Sequence, residues 1–397
     1  MGLGLALERA RHSKMKLKAE KKEMDPGQLR ESLLHSLRLQ GFSIGRDGRI
    51  VAVSGHDKDA IRRLHTAACQ ASIARAKGGL QRHEERLIRN FADGSEIDPE
   101  AIHPEIVEIQ SGTEEELLFR YARLHWSIPV SAGYGRRLRF AIFDRSNEKL
   151  IGIVGLGDPV FAIGPRDHWI GWDGSAKRSH LRHVMDAFVL GAVPPYSSLL
   201  CGKLIAALIT STEVRDAFRR KYQDSTSLIA GRSFDGRLAL ITTTSALGKS
   251  SIYNRLKFED RSLLQPVGFT AGSGEFHFSN GVYREILAYA NRNLEPKAKH
   301  QRWGGGWRSR REVVRRALRD LGLQPDMVYH GIRREIYAAP LATNTREFLR
   351  GEHSRLRWYG TSADDLFDHF QRRWLLPRAL RDQSYRAFRP ASLRLWE

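Results

Sequence analysis

The chain has 397 residues, 41% hydrophobic and 28% charged, which excludes disorder throughout and leaves room for two or three folded regions. Its 65 Lys and Arg against 45 Asp and Glu leave a net charge of +20, an excess that points to a polyanion, DNA or RNA, as partner. Two cysteines, Cys69 and Cys201, are too few for a disulfide framework or a Cys-based zinc site. No apolar run reaches the roughly 18 residues that span a bilayer. Residues 1–7 are apolar but break at Glu8 and Arg9, too short for a secretory core, and Ala6 stands where myristoylation needs a hydroxyl. A cytoplasmic protein without a membrane partner is expected.

Residues 1–28 read as a charged tail that Asp25-Pro26-Gly27 stops. Residues 29–112 read as mainly helical, with Leu33, Leu34 and Leu37 at helical spacing and a long helix from 57 to 89 broken near Gly78-Gly79. A central α/β domain is expected over 113–280. In it, the alternating run 138–143 and the apolar run 150–156 form an antiparallel hairpin. The spacing then predicts a helix over 175–186, a strand over 187–193 ended by Pro194-Pro195, helices over 197–209 and 212–222, a strand over 238–243 and a short helix over 251–256. Residues 281–397 read as a basic α+β region that binds nucleic acid. The fold class is therefore α/β, with a mixed-sheet core flanked by these two regions.

Several motifs carry chemistry. Gly248-Lys249-Ser250 follows a strand, but a phosphate-wrapping loop needs glycine where this chain has Thr243. The remaining reading is a phosphate site at the start of the next helix. His180, His183 and Asp186 fall on one face of the helix predicted over 175–186, as metal ligands or as a base with its carboxylate. Asp158, Asp167 and Asp173 match no metal-nuclease spacing. Ser250, Ser251 and Tyr253 are candidate nucleophiles without a nearby histidine. Between 297 and 319, Trp303 and Trp307 bracket three glycines among many cations, a pattern suited to base stacking and phosphate neutralisation. In that segment Arg311, Arg315 and Arg319 form one helical stripe, opposite Val313, Val314, Ala317, Leu318 and Leu321.

The strings at 126–137 (WSIPVSAGYGRR), 169–172 (WIGW), 185–196 (MDAFVLGAVPPY) and 242–256 (TTTSALGKSSIYNRL) resemble the DruA family of Druantia anti-phage defence systems. The likeness runs through most of 29–397. It implies a role in bacterial defence on DNA beside a large helicase-like partner, or a mobile-element role. A fainter likeness, in the order of elements, is to the acetyltransferase-like (GNAT) fold, although residues 197–203 lack that fold's alternating glycines.

The candidate nucleic-acid surface comprises Arg136, Arg137, Lys203, Lys249, Arg255, Arg302, Trp303, Trp307, Arg308, Arg310, Arg311, Arg315 and Arg319. Tyr134, Trp172, Tyr196, Thr243, Ser250 and Tyr253 are expected to line a pocket. The catalytic candidates are His183, Asp186 and Tyr253. The expected function is DNA recognition without a cofactor. The alternatives are a nuclease or strand-transfer enzyme using Mg²⁺, and an acyltransferase. Oligomeric state stays open.

Overall fold

A computed structural model describes residues 25–51, 57–131, 133, 135–226, 231, 233–296, 303 and 307–397, with backbone alone at Trp307 and Arg308. The chain divides into two units, residues 1–50 with 281–328, and residues 51–280 with 329–397.

The larger unit is built on a seven-stranded mixed sheet of order β1-β2-β3-β4-β5-β9-β8. These strands are β1 (Pro104–Glu108), β2 (Arg137–Asp144), β3 (Lys149–Gly157), β4 (Val184–Ala192), β5 (Leu240–Thr244), β8 (Gln265–Phe269) and β9 (Glu335–Pro340); β6 (Lys257–Phe258) and β7 (Arg261–Ser262) pair apart from them. The β2–β3 hairpin takes the register its alternation requires, with Phe140 opposite Val154. Every pairing in the sheet is antiparallel except β4 with β5, whose connection crosses over through helices Cys201–Leu208 and Thr212–Tyr222. The β3–β4 register slips between Gly155↔Val189 and Leu156↔Ala187, so Phe188 is the extra residue of a bulge. The β4–β5 pairing ends beside it, at Ala187↔Thr243.

Apolar layers cover both faces. On one, Leu138, Phe140, Met185, Ala187 and Ile241 pack with Leu204 and Ile205 of the crossover helix and with Phe367 and Phe370 of helix Ala363–Phe370. On the other, Val184, Leu240 and Ala338 meet Ile170, Trp172 and Phe348, while Ala141, Ile153 and Val189 meet Phe91, Phe119 and Tyr121.

The smaller unit contains helices Pro26–Leu39, Val282–Asn293 and Trp307–Asp320. Asp25 caps the first by accepting from the Gly27 N–H at 3.0 Å, and Pro26 sits where its missing N–H is harmless. Leu29, Leu33, Leu37, Ile286, Tyr289, Val313, Val314, Ala317 and Leu318 are buried, and the Tyr289 hydroxyl donates to Asp320 Oδ2 at 2.5 Å.

Several boundaries differ from the sequence expectations. Residues 26–50 belong with the basic helices rather than with 57–112, and 329–397 return to the sheet unit to supply β9. The helix expected over 175–186 stops at His180, and β4 begins at Val184. The β-branched and apolar run from Val184 onward pairs with β3 and β5, so tertiary pairing overrides the helical periodicity. The helix expected over 251–256 is a single 3₁₀ turn, Tyr253–Arg255.

Candidate nucleic-acid interface

In the smaller unit, helix Trp307–Asp320 commits one face to the core: Val313, Val314, Ala317 and Leu318 are fully buried and Leu321 is nearly so. By 3.6-residue periodicity Arg315 and Arg319 turn away from that face, while Arg311, seven residues before Leu318, flanks its edge. Arg319 is exposed and, among the described residues, has no carboxylate within ion-pair distance. Arg315 stands 3.9 Å from Asp326, Arg316 is paired with Glu312 at 2.8 Å and lies over Trp303, and Arg310 lies 4.3 Å over the Tyr283 ring. Arg302, like Tyr134, lies outside the described residues, as do the side chains of Trp307 and Arg308.

The sheet unit treats its expected cations unequally. Arg136 donates to Asp158 Oδ1 at 2.7 Å and to the Arg182 carbonyl at 2.9 Å, boxed by Phe218, Tyr222 and Phe234. Its charge is matched inside the fold. Arg137 is exposed at the start of β2. Lys249 lies 5.9 Å from the Phe269 ring centre, Arg255 is exposed on the 3₁₀ turn, and Lys203 lies 5.0 Å over Trp374. The loop before that turn is closed on itself: Ser245 donates to the Gly248 carbonyl and the Ser250 N–H donates to Tyr337 Oη at 3.1 Å. Without a helix after it, and with that amide engaged, the loop does not form the amide cradle expected for a phosphate.

The expected pocket residues do not converge. Trp172 packs on one face of the sheet, whereas Tyr196 and Tyr253 join the core on the other. Tyr196 is fully buried; its hydroxyl donates to Asp144 Oδ2 at 2.8 Å and accepts from Asn147 at 2.9 Å. Thr243 donates to the Ala187 carbonyl at 3.0 Å, and Tyr253 meets Tyr337 edge-on at 5.2 Å. These polar groups satisfy each other because they are buried, and aromatic composition alone carries no such information. A separate cleft of about 600 Å³ is lined by Arg215, Arg219, Arg237, Asp216, Asp235 and Trp358.

His183 and Asp186 also part company. His183 ends a 3₁₀ turn, is 2% exposed and bonds the Arg237 carbonyl through Nδ1 at 2.8 Å. Asp186 lies on β4, paired with Thr242 one residue before the β4–β5 pairing ends, and accepts from Thr242 Oγ1 at 2.9 Å; burial pushes its carboxyl up to about 6. Burial pushes the Tyr253 phenol up to about 12, which disfavours the phenolate of a nucleophile. Among the described residues, no group of three His, Cys, Asp or Glu side chains gathers to hold a metal.

Two predictions arise here. Gly135 has φ +57° and a Cβ there would collide with Asp158 Oδ2, the acceptor of the Arg136 N–H. Gly135→Ala is therefore expected to lose at least about 1–2 kcal/mol in urea denaturation from the backbone conformation alone. The second concerns acid. Burial holds His65 and His183 down at about 4 and His330 at about 2, with Arg334 adding to the effect on His65 and His277 and Arg334 on His330. The unfolded chain protonates these imidazoles near 6.5 while the fold keeps them neutral, so the unfolded state takes up protons first. Stability is then expected to fall as pH drops from 7 toward 4. Burial lowers His125 to about 4 as well, so Asp186, which acts in the opposite sense, is one group against four. Urea midpoints measured across that range check the direction.

Sequence reasoning missed a hub at Asp167 and a pair at Arg373-Trp374. Asp167 Oδ1 accepts from Arg166 and from Trp172 Nε1 at 3.2 Å, and its Oδ2 accepts from Lys177 at 2.6 Å. The pairing of a wholly buried arginine with its immediate neighbour has no periodic signature. Among the described residues, no helix is long and apolar enough to cross a membrane.

Fold and site together define a mixed-sheet α/β protein with an arginine-striped helix anchored in a smaller helical unit. Residues 55–351 match the family model described as Druantia protein DruA. Druantia protein DruA of Escherichia coli (strain UMEA 4076-1) is 38% identical over 368 residues, covering 92% of this chain and 90% of its own length. The chain belongs to the DruA family. No solved structure matches it.

Proposed function

We propose that this protein is the nucleic-acid-binding component of a Druantia anti-phage defence system, with DNA as the polyanion and a helicase-like protein as a partner. One observation carries the reading: helix Trp307–Asp320 locks its apolar face into the core and leaves Arg315 and Arg319 turned away from it, with Arg311 at its edge. A rigid row of cations along a helix neutralises phosphates whatever the base sequence. The excess of 65 basic over 45 acidic residues supports the same partner. Labelled single- and double-stranded DNA of unrelated sequences test it. Comparable affinity across sequences supports the reading, and no binding at about 0.1 M salt overturns it.

A second reading, strand cleavage or transfer, draws on Asp186, a half-buried carboxyl pushed up to about 6 near the end of the β4–β5 pairing. A group titrating there suits general acid–base work. Incubating labelled DNA with Mg²⁺ or Mn²⁺ decides it: cleavage lost in Asp186→Asn supports it, and intact strands with wild-type protein reject it.

A further inference from the structure

Three cations meet in the sheet unit without a counter-charge. Lys203 lies in the first turn of helix Cys201–Leu208, which packs against helix Ala363–Phe370. Arg373 and Trp374 lie in the π-helical turn that continues the latter helix, Gln371–Leu375. Arg255 ends the Tyr253–Arg255 turn, which comes close to the same place because Gly202 has no side chain; a Cβ there would lie 3.3 Å from Ile252 Cδ1.

The Lys203 ammonium lies 5.0 Å and the Arg373 guanidinium 5.4 Å from the Trp374 ring centre. Burial, then the charges of Arg255 and Arg373, lower the affinity of Lys203 for its proton. Among the described residues, none of the three cations has a carboxylate within ion-pair distance or a side-chain hydrogen bond. Some arginines of this unit are matched inside it, Arg136 by Asp158 and Arg350 by Glu352. Like charges brought together beside an apolar ring repel unless an anion joins them. Guanidinium groups offer planar donor pairs that match phosphate oxygens, and the ammonium adds a point charge.

We propose that Lys203, Arg255 and Arg373 form a phosphate-binding site, with Trp374 as the wall that orients two of the cations. The proposal rests on the nucleic-acid reading only for the source of the phosphate, a strand; a free polyphosphate presents the same oxygens. No residue of the arginine-striped helix takes part.

The test compares wild type, Arg255→Gln/Arg373→Gln, Arg255→Lys/Arg373→Lys and, in the other unit, Arg311→Gln/Arg319→Gln. Each binds a short 5′-phosphorylated labelled DNA strand and, by calorimetry, inorganic pyrophosphate. Arg255 and Arg373 are exposed, so their glutamine variants are expected to melt with the wild type. The site predicts at least roughly tenfold weaker DNA binding in Arg255→Gln/Arg373→Gln, with a salt slope shallower by about 1–2, and most of the affinity kept by the lysine pair. Unchanged DNA affinity with pyrophosphate heat present in wild type and absent in that variant still supports a phosphate site, filled by a small polyphosphate. Unchanged binding of both ligands overturns it. The two proposals fail separately: the helix variant alone losing DNA retains the first, and wild type ignoring DNA removes the first while pyrophosphate still decides the second.

Discussion

Asp167→Ala is expected to lower stability by about 3–5 kcal/mol, the usual loss when one partner of a buried ion pair is removed. The Arg166 side chain is fully buried. It donates through Nε and Nη2 to Asp167 Oδ1 at 2.9 and 2.7 Å, and through Nη1 and Nη2 to the Val160 and Phe161 carbonyls at 2.9 and 3.0 Å. Asp167 Oδ2 also accepts from Lys177 Nζ at 2.6 Å and the Ile163 N–H at 3.2 Å, tying the segment after β3 to two helices. Alanine leaves a guanidinium out of water with no negative partner. Burial raises the Asp167 carboxyl pKa, but Lys177 and Arg166 outweigh it and hold the group below its ordinary value. Removing both charges, as in Arg166→Met/Asp167→Asn, is expected to destabilise less than Asp167→Ala alone, because no uncompensated cation remains. Urea denaturation of the two variants measures the difference. A loss under about 1 kcal/mol for Asp167→Ala, the level of an exposed pair, contradicts the buried-hub account.

The second large effect belongs to the arginine-striped helix. Arg311→Gln/Arg315→Gln/Arg319→Gln is expected to weaken DNA binding roughly tenfold or more and equally for unrelated sequences, since phosphate contacts carry no base information. None of the three is among the buried residues Val313, Val314, Ala317 and Leu318 that seat the helix, so the melting temperature is expected to stay close to wild type. Anisotropy with two DNAs of different sequence separates the outcomes. A loss confined to one sequence points to base readout instead, and unchanged affinity places the interface elsewhere.

Legibility in the sequence followed the physics of each feature. The β2–β3 hairpin was readable because alternation fixes register, and helix Trp307–Asp320 because its apolar stripe is periodic over three turns. Helix Pro26–Leu39 announced itself through Asp25 and Pro26. The end of the helix before β4 was not readable, since its periodicity runs on into a strand held by its neighbours on both sides. Nor was the pocket: Trp172 and Tyr196 stand on opposite faces of the sheet, a consequence of topology rather than of spacing. Arg136 looked like a surface cation until Asp158, 22 residues away, supplied its partner. Arg373 joins Lys203 and Arg255 only because helix Ala363–Phe370 packs on the crossover helix.

The central claim, that the surplus positive charge is a nucleic-acid interface, is tested most directly by a salt titration. DNA affinity of the wild-type protein would be measured from about 50 to 200 mM monovalent salt. Three phosphates on the helix predict a log–log slope of about −2 or steeper. A flat dependence, or no binding at the low-salt end, contradicts the account.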